Sequence, residues 1–198
     1  VYATSTAIQL SFDVDVAVIE PMDLNESHRG SFLIGGGTDE AWTEKTPKQP
    51  QNERVHTRIM FNVSYTENNT PQYSFANSTT QFKGKQKIVI VSNNTGSTLK
   101  YKGPDHKENT VKDRGYDLWV GHVLVMNDAT AIGKNTTLEY LKFLYPPKSP
   151  NCRLIFDNIL IEDLSGSGAR HATAAVQAKP ADPNVLWSWQ FTFPTESK

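Results

Sequence analysis

Apolar and polar residues alternate without a slip through "AIQLSFDVDVAVI", which puts Ile8, Leu10, Phe12, Val14, Val16 and Val18 on one side and Gln9, Ser11, Asp13 and Asp15 on the other. A period of two, rich in β-branched residues, predicts a long strand with one wet face. "RIMFNVSY" repeats the pattern, with Ile59, Phe61, Val63 and Tyr65 on one side and Asn62 and Ser64 opposite. Phe32 to Ile34, Tyr73 to Ala76 and Lys87 to Val91 are shorter strand candidates. In "NVLWSWQFTF", Val185, Trp187, Trp189, Phe191 and Phe193 share a side. Leu118 to Met126 is apolar on both sides, which predicts a central strand covered on both faces.

A helix is invited by "KNTTLEYLKFLYPP", where Thr136 and Glu139 have capping-box spacing, Leu138, Leu141, Leu144 and Tyr145 recur at helical spacing, and prolines follow. The same residues also fit a strand. The reading is therefore an all-β fold, an antiparallel two-sheet sandwich of jelly-roll type, with at most one short helix near 136–145.

Between these elements, "GGGTDEAWTEKTPKQPQNER" reads as a loop longer than most connections, and such loops often carry function. "KGPDHKENTVKDRG" reads as a solvated loop, and 165–184, small, polar and punctuated by proline, as a flexible linker before the terminal strand. No internal repeat is visible, so 1–198 is expected to form one sandwich domain. In "CRLIFDNILIEDL" the alternation slips at Asp157–Asn158, which predicts a bulge. Within it, "IFDNILIED" resembles the closing strand of galactose-binding-like β-sandwich domains, a superfamily that holds many carbohydrate-binding modules. The resemblance covers about ten residues and implies a jelly-roll sandwich and sugar binding, with no particular ligand residue.

Composition narrows the partners. The 20 basic and 21 acidic residues nearly cancel and form no basic run, which argues against nucleic acid and anionic membrane surfaces. No apolar stretch approaches the length of a membrane helix. Cys152 is alone, so no internal disulfide forms. Asn-x-Ser/Thr occurs at Asn25, Asn62, Asn68, Asn77, Asn93 and Asn135, whereas 14 Asn and 33 Ser plus Thr give roughly two such triplets by chance. The excess fits a secreted glycoprotein; clustering of turn formers is the alternative explanation.

Catalytic motifs fail on inspection. Gly133-Lys134 lacks both the earlier glycine and the following Ser/Thr of a phosphate loop, and Ser167 has its glycines at the wrong spacing for a nucleophile elbow. His28, His56, His106, His122 and His171 are scattered, and no metal site is expected. Asp13 and Asp15 share a strand face, an arrangement suited to an acid pair but more typical of solvated cover. No cofactor is expected; "GGGTDE" and "VMNDATAIG" hold carboxylates and carbonyls, so calcium stays open.

Trp42, in a polar glycine-rich loop beside Asp39, suits stacking on a sugar face. Tyr116, Asp117 and Trp119 open the Leu118 strand and Asn127 and Asp128 close it, at sandwich ends where recognition usually sits. The leading expectation is a non-enzymatic, lectin-like protein that binds a glycan or a cell-surface glycoprotein through these loop residues. The first alternative is a self-assembling homo-oligomer, a capsid, fibre or coat subunit that exchanges strands through 1–19 or 184–193. A second is a β-pore-forming toxin with a hairpin made from "RIMFNVSY" and "YSFANSTTQF".

Overall fold

The computed structural model describes residues 2–3, 5–18, 28–36, 55–75, 78–133, 137–145, 152–166, 170–171, 173–178 and 185–194. Among them there is no helix, and the strands form two large antiparallel sheets and one small one. The larger sheet places β1 (Tyr2–Ala3) and β15 (Thr173–Ala178) on one edge of β16 (Val185–Pro194). It continues through β12 (Tyr140–Leu144), β3 (His28–Gly35), β4 (Val55–Tyr65), β5 (Pro71–Phe75) and β6 (Phe82–Lys83). The second sheet runs β11 (Val123–Thr130), β10 (Gly115–Val120), β7 (Gln86–Asn93), β2 (Ala7–Val18), β13 (Cys152–Asp163) and β14 (Arg170–His171). A hairpin of β8 (Leu99–Lys102) and β9 (Glu108–Val111) stands apart from both.

The alternation in β2 does what its period demands. Ile8, Leu10, Phe12, Val14 and Val16 are buried between the sheets, meeting Phe32, Ile59, Phe61, Phe143 and their neighbours from the larger sheet. Gln9, Asp13 and Asp15 stay partly exposed on the outer face. This shared interior makes the molecule the all-β sandwich that the period-two runs predict.

Several expectations change. The segment expected as a helix is β12, hydrogen-bonded to β3 on one side and β16 on the other. Leu141, Phe143 and Tyr145 join the core, so pairing along both edges overrides the helical spacing. The stretch 118–126 is two strands rather than one. Gly121 and His122 close a two-residue hairpin in which Val120 pairs with Val123 and Gly121 has φ of 58°, the positive value that the first turn position requires. The passage 165–184, read as a linker, contains β14 and β15, which pair with β13 and β16. The bulge in β13 lies where the slip predicts, between Asp157 and Leu160, with Asn158 at φ 53°.

Strand exchange through 1–19 or 184–193 loses its basis, because β2 lies between β7 and β13 of its own sheet and β16 beside β12 of its own. The toxin hairpin does form, as β4 with β5, but Phe61, Val63, Tyr65, Tyr73 and Phe75, the side that would face lipid, belong to the core. Among the described residues no helix is long and apolar enough to cross a membrane.

Candidate active site

The β8–β9 hairpin lies on the outer face of the second sheet. Tyr101 and Val111 pack on Val89, Val91 and Trp119, with Leu99, Leu124 and Leu164 at the margin. A polar chain fixes it there. The Tyr101 hydroxyl donates to Asp117 Oδ2 and accepts from Trp119 Nε1 at 2.9 Å, and Asp117 Oδ1 accepts the Asp128 backbone N–H at 2.6 Å. Asp128 Oδ1 in turn accepts the Lys112 N–H at 2.7 Å, just past β9. Burial raises the Asp117 carboxyl above its ordinary value, and burial followed by the bond to Asp117 raises the Tyr101 hydroxyl.

The sequence-selected residues therefore divide. Asp117 and Asp128 come together with Trp119 in this network, where a bulge opposite Asp117 leaves Asn127 exposed and gives Asp128 a φ of 55°. Asp117 and Trp119 are 0% and 3% exposed, and Tyr116 is buried in the core. Trp42 and Asp39 lie outside the described residues. So do Asn25, Asn77 and Asn135; Asn68 is exposed, Asn62 half-buried. Asn93 is buried and its amide donates to Ser97 O and Val111 O, so a glycan on that nitrogen does not fit the fold.

Beside the hairpin a cleft of about 310 Å³ opens between its turn, the β10–β11 turn and the outward residues of β7, β2 and β13. Its polar walls are Lys87, Lys102, His106, His122, Gln9 and Glu162. The hairpin turn has the Gly103 N–H bonded to Lys107 O at 2.9 Å and the His106 N–H to Gly103 O at 2.9 Å, with His106 itself at φ 63°. That left-handed position favours glycine and tolerates histidine. Gly103 is there for space: a Cβ on it would lie 2.5 Å from the Asn109 side chain and 3.0 Å from the Trp119 ring.

His122 Nδ1 lies 2.7 Å from Pro104 O and ties the two turns together. A carbonyl only accepts, so Nδ1 carries the hydrogen, and in the neutral ring the lone pair is on Nε2. The His106 and His122 ring centroids are 6.5 Å apart. Glu162 accepts from Gln9 Nε2 at 2.9 Å, fixing the cleft's carboxylate on its β13 wall. The site thus presents a tautomer-fixed imidazole, a second imidazole, two lysines and one carboxylate.

Asp13, paired in the sequence reading with Asp15, instead faces Asp157 across the β2–β13 register. Lys85 Nζ lies 3.1 Å from Asp13 and 3.5 Å from Asp157, and Asn158 Nδ2 donates to Asp13 at 2.7 Å. The bonds from Asn158 and Lys85 hold the Asp13 carboxyl below its ordinary value, which suits an ionised surface pair and not a proton donor. Among the described residues no three His, Cys, Asp or Glu side chains converge on a metal site.

The cleft histidines were missed because they sit on turns, and Gln9, Lys87, Lys102 and Glu162 because they stand on four separate strands. The readable signals were Gly-His between two apolar runs, a two-residue hairpin loop, and Gly-Pro-Asp-His, a turn with histidine in its last position.

No family model and no curated protein matches the chain. Among solved structures, an alginate lyase in complex with alginate trisaccharide is similar over 80% of this chain and 71% of that one, with 11% identity and a TM-score of 0.38. That neighbour is an enzyme, against the expectation of a non-enzymatic, lectin-like binder and the expectation that the chain is not an enzyme. At that distance it carries no residue and no substrate across.

Proposed function

We propose that the chain is a carbohydrate-active enzyme whose outer-face cleft takes an acidic glycan and cleaves it by β-elimination. The observation that carries the reading is the His122–Pro104 bond at 2.7 Å, which holds the His122 ring at a cleft that it lines with Lys87 and Lys102 and makes Nε2 the basic nitrogen of its neutral form. The lysines neutralise a uronate carboxylate, which acidifies the proton on the adjacent carbon. Nε2 of His122 removes that proton; its electron pair forms the new carbon–carbon double bond as the bond to the glycosidic oxygen breaks, and His106 returns a proton to that oxygen. Hydrolysis by paired carboxylates is disfavoured here, since among the described residues Glu162 is the acidic one lining the cleft. A polymeric acidic glycan is an extracellular substrate, in keeping with the expected export, and among the described residues Asn68 is the exposed glycosylation triplet that this placement would use.

Incubation with uronate polymers, followed by the ultraviolet absorbance of an unsaturated product, tests the reading. His122→Ala should lower that rate about 10²- to 10⁴-fold. Absence of unsaturated product from every acidic glycan tried, or an unchanged rate in the variant, would sink it.

A further inference from the structure

The second sheet ends at β13, and β14 covers it only at Glu162 and Asp163. Among the described residues nothing pairs with the outer edge of β13 from Cys152 to Asp157. An exposed row of unpaired backbone groups is a template for another strand, and proteins usually blunt it with bulges, prolines or a covering segment. Here the bulge comes only after Asp157, so six residues remain regular.

Among the described residues the side chains along this edge have little cover. Leu154 and Phe156 point into the sandwich but are only partly buried, while their register partners on β2, Val16 and Val14, are 7% and 4% exposed. On the outer face Ile155 is 44% exposed and the Asp157 side chain 60%, even with Lys85 beside it.

The edge is also complementary to itself. Residues opposed in an antiparallel pair face the same side, so a two-fold axis must pass through a residue position and not between two. Centred on Ile155, two copies set Arg153 opposite Asp157 twice and Leu154 opposite Phe156 twice. Centred on Leu154, Arg153 would meet Ile155; centred on Phe156, Asp157 would meet Ile155. Opposite charges directly across a strand pair stabilise it and a charge against isoleucine does not, which selects the Ile155 centre.

We propose that the chain forms a homodimer by antiparallel pairing of β13 edges about Ile155, joining the two second sheets into one continuous sheet. Sedimentation equilibrium of the full chain should give a dimer. Asp157→Arg, which sets arginine against Arg153 of the copy, should give a monomer with unchanged circular dichroism, and adding Arg153→Asp to that variant should restore the dimer. Ile155→Cys in a Cys152→Ser background should oxidise to a disulfide-linked dimer even if the charge variants fold poorly. A wild-type monomer at about 1 mM, or an Asp157→Arg chain that dimerises as tightly as wild type, overturns the proposal.

Discussion

Between the sheets the contacts are nearly all rings and branched aliphatics. Phe12 touches Phe32, Phe143 and Phe156 at centroid distances of 5.2 to 5.8 Å, and Phe32 stacks on Phe61 at 4.8 Å. Above the outer face, the β8–β9 hairpin rests on a few apolar side chains and is secured by the Tyr101–Asp117–Asp128 chain. Area burial grows with every residue added and tolerates imperfect geometry, whereas a buried polar chain depends on each member having its partner. The sandwich should therefore fail as a whole and the hairpin by itself. The cleft, which takes its turn from the hairpin, inherits the second behaviour.

The sharpest way to break the contrast is to remove a ring from the interior. Phe12→Ala leaves a cavity where Phe12 is 0% exposed and should lower stability by about 3–5 kcal/mol in urea unfolding, with hairpin and sheets melting together. Acid should act on the sandwich nearly as strongly. His56 is buried at the end of β4; its Nδ1 lies 2.9 Å from Thr57 Oγ1, which meets Ser92 Oγ at 2.8 Å, and Nε2 has no partner among the described residues. Burial lowers its pKa from 6.5 to about 4. The unfolded chain then binds a proton that the folded chain refuses between those values, so stability is full above pH 6.5 and falls as pH drops towards 4. The loss should reach about 3 kcal/mol by pH 4, and His56→Phe should flatten that part of the stability-against-pH curve. An unchanged slope in the variant would put the acid sensitivity elsewhere.

The same contrast explains which parts the sequence disclosed. β2 and β4 have one wet and one dry face, so their period is written in the residues, and the bulge in β13 appears as a slip in that period. β12 is paired on both edges and buried on both faces, and such a strand loses the alternation that would separate it from a helix. The stretch 118–126 misled for a related reason: Val120 and Val123 hide a Gly-His turn inside an apolar run. The site was the least legible part. His106, His122, Lys102 and Glu162 are separated by up to 60 positions and meet only because the hairpin folds over the sheet. Asp117 and Trp119, chosen for their chemistry, are the residues that hold the hairpin down, one step removed from the cleft.

The mildest perturbation is also the most discriminating. Asp117→Ala leaves the Asp128 N–H and the Tyr101 hydroxyl without their acceptor, and an orphaned buried donor is worth about 1–3 kcal/mol. Global stability should fall by about 2 kcal/mol, less than for Phe12→Ala, because the sandwich interior is untouched. The amides of Tyr101, Asn109 and Val111 should exchange with solvent far faster, while those of Leu10 and Ile90 lose only the protection that the fall in global stability removes. Acid adds a second signature. The folded Asp117 carboxyl has its pKa raised, so between the ordinary aspartate value and that raised value the folded state holds the extra proton and stability falls as pH rises. This slope opposes that of His56, and deleting Asp117 should make the acid loss steeper at its lower end. If hairpin and core amides in the variant lose protection together, the two layers are one cooperative unit and the polar chain is not what separates them.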